Sequence, residues 1–243
     1  GEISSQRYSP LDQINVGNVA DLEIAWRFST KGFGRVTDYV NPSTPIEIDG
    51  ILYANVGITR NVVALDATSG QVLWMFRYSE GDRFDEAPRK GSGRGVSFWT
   101  DGDVERIIDV SPGYQLVSLD AKTGIPDPDF GNNGIVDLFV GVRNGDDPRY
   151  AYPEIGLSAP PLVMNDVIVV GAAHRGGGRP RSKFNTKGDV RGFDVHTGEL
   201  LWTFHTIPER GEIGFESWIT GNEITGNTGV WAAISGDPEL GHV

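Results

Sequence analysis

The 243-residue chain contains no cysteine, which excludes disulfide frameworks, cysteine-ligated zinc and thiol nucleophiles together and leaves the redox compartment open. Histidine is scarce as well: His174, His196, His205 and His242 fit no HExxH spacing. The longest apolar run, Val167 to Ala173, is far too short to cross a bilayer, and the first residues carry no basic and apolar leader pattern. Positive charge is in the minority, 21 Lys and Arg against 33 Asp and Glu for a net charge of −12. Such a balance repels phosphate backbones and excludes a broad nucleic-acid footprint. Helical apolar periodicity is rare too, its best stretch being Asn18 to Trp26, two turns at most.

Punctuation is what the chain has in plenty: Gly 33 and Pro 14 make up about a fifth of it, against roughly 12% in average usage. Between the breaks lie short β-branched and aromatic segments, Ile46–Ile48, Ile51–Tyr53, Val62–Leu65, Arg106–Val110, Leu116–Leu119 and Val167–Val170. The pairs Asp49-Gly50, Ser69-Gly70, Asp101-Gly102 and Thr123-Gly124 separate several of them. Strands joined by tight turns make antiparallel meanders, and the chain reads as all-β.

One internal repeat sharpens that reading. Ala64-Leu65-Asp66-Ala67-Thr68-Ser69-Gly70-Gln71-Val72-Leu73-Trp74 returns as Gly192-Phe193-Asp194-Val195-His196-Thr197-Gly198-Glu199-Leu200-Leu201-Trp202. A weaker copy, Ser118 to Gly124, keeps Asp120 and Thr123-Gly124 but meets Pro128 where the tryptophan should fall. An Asp opening a turn accepts from backbone N–H groups two or three residues on, and the Gly supplies the positive φ that closes it. The tryptophan then lands on the returning strand, where its ring can cover a neighbouring sheet. The pattern predicts a Trp-motif β-propeller with both tryptophans on outer strands. The Asp-to-Asp intervals, 66 to 120 and 120 to 194, exceed the roughly 40–45 residues of a compact blade, so long loops are expected around Ser79–Arg94 and Pro126–Pro160. Three to four blades fit, and residues 1–243 are expected to form a single partial propeller domain, trimmed at both ends, whose ring is completed by other sequence.

The opening Tyr8-Ser9-Pro10-Leu11-Asp12-Gln13-Ile14-Asn15-Val16-Gly17-Asn18-Val19-Ala20-Asp21-Leu22-Glu23-Ile24-Ala25-Trp26 resembles the N-terminal signature of bacterial pyrroloquinoline quinone (PQQ) dependent dehydrogenases. Arg94-Gly95-Val96-Ser97-Phe98-Trp99 and the run Trp231 to Leu240 extend the resemblance over the chain, and the segment Arg191 to Trp202 is most similar to the glucose and quinate dehydrogenase branch. The resemblance implies the N-terminal part of an eight-bladed periplasmic enzyme that oxidises an alcohol or sugar hydroxyl with hydride transfer to PQQ beside Ca2+ or Mg2+. It also implies an electron acceptor, a quinone or cytochrome, and the remainder of the propeller as partners.

Carried over by motif, Arg94 is expected to bind a quinone carboxylate, Trp231 to stack on the tricyclic ring and Ser158 to hydrogen-bond the cofactor. Without the resemblance these residues read as a turn arginine, a blade-packing tryptophan and a turn-capping serine. His174 and Arg175 stand where relatives place an oxygen ligand for the cation, so they are expected at the cofactor with no carboxylate beside them. Pro42 replaces a glutamate that relatives direct at the quinone. The general-base aspartate of the family falls outside this sequence, and no catalytic or metal-ligating residue is assigned. Local alternatives fail: Gly156 to Pro160 is not GxSxG, Arg175 to Pro180 lacks the Gly-Lys-Ser/Thr of a phosphate loop, and Asp85-Glu86 reads as a solvated pair. Arg175, Arg179, Arg181, Lys183 and Lys187 form a cationic loop that is either solvated or able to guide an anion. The competing class is a propeller without cofactor that binds other proteins, a reading supported by Pro42 and Arg175.

Overall fold

Every copy of the repeat closes its turn in the same way. Asp66 Oδ1 accepts from the N–H groups of Thr68 and Ser69, at 3.1 and 2.7 Å. Asp120 Oδ1 accepts from Thr123 N–H and its hydroxyl, and Asp194 Oδ1 from His196 and Thr197 N–H. Gly70, Gly124 and Gly198 follow at φ of 73°, 70° and 74°, a conformation that costs a residue with a Cβ. Their N–H groups return to the carbonyls of the opening aspartates.

These turns sit at corresponding places in three four-stranded antiparallel sheets of the computed structural model, which describes residues 11–34, 36–176 and 184–243. The first sheet runs β1 (Ile46–Ile48), β2 (Ile51–Val56), β3 (Asn61–Asp66) and β4 (Val72–Phe76). The second runs β5 (Ser97–Thr100), β6 (Glu105–Val110), β7 (Gln115–Asp120) and β8 (Ile135–Asp137). A short pair, β9 (Ile155–Gly156) with β12 (Ala173–His174), flanks the third sheet, ordered β10 (Leu162–Met164), β11 (Val167–Val170), β13 (Val190–Asp194) and β14 (Leu200–Phe204). The chain is thus all-β, three blades of a propeller. The Asn18–Trp26 stretch supplies only one 3-10 turn, Val19–Asp21, and the one α-helix among the described residues, α1 (Asp82–Glu86), lies in a loop too short to show periodicity.

The core lies between the sheets. Tyr53, Val62 and Ala64 of the first blade pack with Ile107, Val117 and Leu119 of the second. Ile108, Val110 and Leu116, on the opposite face of the second, pack with Ile168, Val170 and Phe193 of the third. The period-two alternation of each strand therefore feeds two different interfaces. The motif tryptophans fasten them. Trp74, on edge strand β4, donates from Nε1 to Ala121 O at 2.9 Å and lays its ring over Gly124, both in the second blade. Trp26 repeats the contact one step earlier, with Nε1 donating to Ala67 O at 3.0 Å and its ring over Gly70.

At the next boundary, where the repeat meets Pro128, the tryptophan's two tasks are divided. Arg106 Nη1 donates to Val195 O at 2.7 Å, and Phe130 with Val136 covers Gly198. Trp202 occupies edge strand β14 as the repeat predicts, but its ring packs over Gly192 of its own sheet and borders an apolar groove with Phe204, Val230 and Ile234. The expectation that both tryptophans cover an adjacent blade thus holds for Trp74; no further blade faces Trp202 among the described residues.

Candidate functional site

Loops between the blades bring distant segments to one place, and a buried cation organises them. Arg60, 1% exposed with φ 54°, follows the turn between β2 and β3. Its guanidinium donates to Val110 O at 2.7 Å, Leu157 O at 2.6 Å, Arg89 O at 2.7 Å and Gly91 O at 3.2 Å. Val110 ends β6 in the second blade, Leu157 follows β9, and Arg89 and Gly91 belong to the loop before β5. One side chain therefore fixes three loops by satisfying carbonyls that would otherwise be buried without donors. Burial lowers the pKa of Arg60, and the Asp109 charge partly offsets this. Asp109, also buried, accepts from Asn55 Nδ2 at 3.0 Å and from Tyr78 OH at 2.8 Å. Desolvation still pushes its carboxyl up to about 6.

On this support stand three of the residues that the sequence singles out. Arg94 N–H donates to Ser158 O at 2.9 Å, and Arg94 O accepts from Thr44 N–H at 3.1 Å. That second bond seats the Pro42 loop against the arginine. The Arg94 guanidinium carbon lies 5.6 Å from the ring centroid of Trp231, whose indole is 54% exposed. Arg94, Ser158 and Trp231 come from the loop before β5, the segment after β9 and the stretch after β14, and they meet in one spot.

His174 and Arg175 sit differently. His174 is buried with Nε2 2.9 Å from Thr186 O, and burial lowers its pKa, favouring the neutral ring. Its ring lies against Gly188 and Gly229, where the backbone passes too closely for a Cβ. Ala172 N–H donates to Val230 O at 2.9 Å. His174 thus supports the run that presents Trp231. Arg175 makes a bidentate pair with Glu154, Nε to Oε2 at 2.6 Å and Nη2 to Oε1 at 2.9 Å, and Nη2 also donates to Glu86 O. Its charge is committed, and the pairing holds it above the ordinary arginine value. Lys187 is engaged as well, donating to Asn222 O. The cationic loop is therefore not a free patch at either of these residues; Arg179, Arg181 and Lys183 lie outside the described residues, as do Tyr8, Ser9 and Pro10. Asp85 and Glu86 are exposed on α1.

A fourth arginine at this site has no signal in the sequence beyond its Gly- and Pro-rich surroundings. Arg89 packs Cβ and Cγ over Gly156, and its Nε is buried without a hydrogen-bond partner. Burial, followed by the charge of Arg94, lowers its pKa. The site offers a planar exposed ring with the Arg94 cation beside it, and Ser158 is tied to that arginine through its backbone carbonyl, a set suited to a flat anion. For a divalent cation the fit is poor: no group of three His, Asp or Glu that could hold a metal occurs among the described residues, and Glu154 is already paired with Arg175.

The family model described as PQQ: Glucose/ethanol/alcohol dehydrogenase, beta-propeller domain matches residues 1–243. The glycerol dehydrogenase large subunit of Gluconobacter oxydans is 28% identical over 99% of this chain and 32% of its own length. The quinoprotein glucose dehydrogenase of Escherichia coli is 32% identical over 82% of this chain and 25% of its own. Among solved structures, the quinohemoprotein alcohol dehydrogenase ADHIIG of Pseudomonas putida superposes with a TM-score of 0.71 at 27% identity, covering 97% of this chain and 31% of that one. The chain spans a quarter to a third of the length of these relatives.

Proposed function

Because the chain belongs to the PQQ-dependent glucose/ethanol/alcohol dehydrogenase β-propeller family over all of its length, we propose that it forms part of the cofactor-binding half of a dehydrogenase that oxidises an alcohol or sugar hydroxyl. The convergence of Arg94, Ser158 and Trp231 is the observation that carries this reading. When bound, PQQ supplies the two-electron acceptor. Trp231 gives the face on which its rings lie, Arg94 neutralises and orients a carboxylate with a planar pair of donors, and Ser158 closes the rim. Arg60 and His174 hold these groups in place, one through carbonyls of three loops and the other beneath the Gly229 run.

A hydroxyl proton must leave as the substrate is oxidised, and no residue described here is assigned that task. Nor does any step pass through Ca2+ or Mg2+, for which the described residues offer no ligand set. The remaining blades, a quinone or cytochrome as electron acceptor and a periplasmic location belong to the same proposal, as does the single-domain reading of residues 1–243. No helix among the described residues is long and apolar enough to cross a membrane.

Titrating PQQ into the complete protein, freed of cofactor, tests the site. Trp231→Ala should weaken binding by roughly 1–3 kcal/mol, by analogy with bases stacked on aromatic rings. Arg94→Ala should cost about 1.5–3 kcal/mol through the lost charged hydrogen bond. Both variants should melt like the native protein. Unchanged affinity in both would favour the binding-scaffold alternative.

A further inference from the structure

We propose that Arg89 is a second carboxylate-binding arginine of this site, acting beside Arg94 on the same planar, multiply charged anion. The inference rests on the quinone reading and extends it to a residue outside the motifs that led to that reading.

Four observations carry it. The Arg89 backbone is fixed, its carbonyl accepting from Arg60 Nη2 at 2.7 Å, so the position of its Cα is set by the same buried cation that sets the loop of Arg94. Its stem lies over Gly156, two residues before Ser158, so the side chain starts from the wall that carries the serine. Its Nε is buried with no hydrogen-bond partner, and no ion pair engages its guanidinium among the described residues. Finally, after burial, the positive charge of Arg94 is what disfavours the Arg89 cation.

A neighbouring contrast shows how unusual this is. Arg83, Arg106, Arg143, Arg149 and Arg175 each hold a carboxylate within ion-pair distance. Arg60 has four carbonyls. A protein with a net charge of −12 has acids to spare, yet among the described residues neither Arg89 nor Arg94 forms an ion pair. Two guanidinium groups set near each other, one with a desolvated donor, are an arrangement that a dianionic ligand resolves, since each carboxylate can take a planar pair of donors and the mutual repulsion becomes attraction. PQQ, with three carboxylates on a flat ring system, has that chemistry, and a ligand with a single carboxylate does not need both arginines.

The test uses the complete protein freed of cofactor, with PQQ as the probe and quenching of tryptophan fluorescence as the readout. Arg89→Gln should raise the dissociation constant about ten- to a hundredfold, the loss expected for one charged hydrogen-bonding pair. The affinity should also become less sensitive to added salt, because one ionic contact has gone. Arg89→Lys, which keeps the charge but not the planar fork, should fall between the two. Thermal melts of the unliganded variants should match the native melt. Native protein that binds PQQ while Arg89→Gln binds it equally tightly, with the same salt dependence, would overturn the role of Arg89 and leave the quinone reading standing. Native protein that fails to bind PQQ would overturn both.

Discussion

Arg60 and Arg89 are joined by a hydrogen bond, from Arg60 Nη2 to the Arg89 carbonyl, yet the two guanidinium groups are built into the molecule in opposite ways. Arg60 spends its donors on four backbone carbonyls and lies 1% exposed. Arg89 has a buried Nε with no acceptor and a like charge nearby. A buried cation whose donors are filled by the protein belongs to the scaffold, because its removal leaves acceptors stranded. A cation with a buried donor that no described residue satisfies is open to an acceptor from a ligand. The distinction separates what holds the loops from what the loops hold out, and it can be broken at either end.

The largest effect should come from Arg60. Arg60→Met keeps an apolar stem of similar length but strands Val110 O, Leu157 O, Arg89 O and Gly91 O without their donor, and leaves Asp109 without its nearby positive charge. A stability loss of about 3–5 kcal/mol is expected, read as a lower denaturant midpoint at constant slope. A loss below about 1 kcal/mol would mean that water replaces the guanidinium, and the scaffold role would fall.

That such a centre exists could not be read along the chain. Thr59-Arg60-Asn61 is an unremarkable tripeptide, and the carbonyls that make its arginine structural come from residues 29 to 97 positions away. The turns, by contrast, were legible because their physics is local: Asp66, Asp120 and Asp194 reach only two or three residues ahead. The strands followed from β-branched runs between those turns. Where the repeat decays at Pro128, the sequence marks the loss of a tryptophan but not its replacement by Arg106, Phe130 and Val136, which lie on separate segments. Arg94, Ser158 and Trp231 were legible only through resemblance to a family. Nothing in their spacing brings them together, whereas the blade order does.

An intermediate effect is expected from Asp109, which lies beside the Arg60 centre and shares its burial. Desolvation pushes its carboxyl from 3.8 up to about 6, against the pull of Arg60 and the hydrogen bonds from Tyr78 and Asn55. Between those two values the folded protein binds more protons at this group than the unfolded chain does. Its contribution to stability is therefore full below about pH 4 and declines as pH rises toward 6 and past it. The full swing is about 3 kcal/mol. Asp109→Asn removes the titration, so the stability of the native protein relative to this variant should fall by most of that amount between pH 4 and 7. Parallel curves across the window would show that the Arg60 charge already holds Asp109 ionised.

The smallest effect sharpens the comparison most. Arg89→Gln and Arg94→Gln remove cations that have no carboxylate partner among the described residues, so neither should destabilise the unliganded fold by more than about 0.5 kcal/mol. Each should instead relieve part of the repulsion between the two guanidinium groups, which is the charge that depresses the Arg89 pKa after burial. In a double-mutant cycle the second replacement should therefore relieve less than the first, a coupling of a few tenths of a kcal/mol that shrinks as salt is added. Arg94 keeps its backbone bonds to Ser158 and Thr44 in any variant, so the loop should hold its course. Denaturant midpoints of the two single variants and the double variant, measured without cofactor, give the result directly. A loss of 2 kcal/mol or more at Arg89 would place it with Arg60 as a scaffold cation, because a side chain that the empty fold depends on is not one reserved for a ligand.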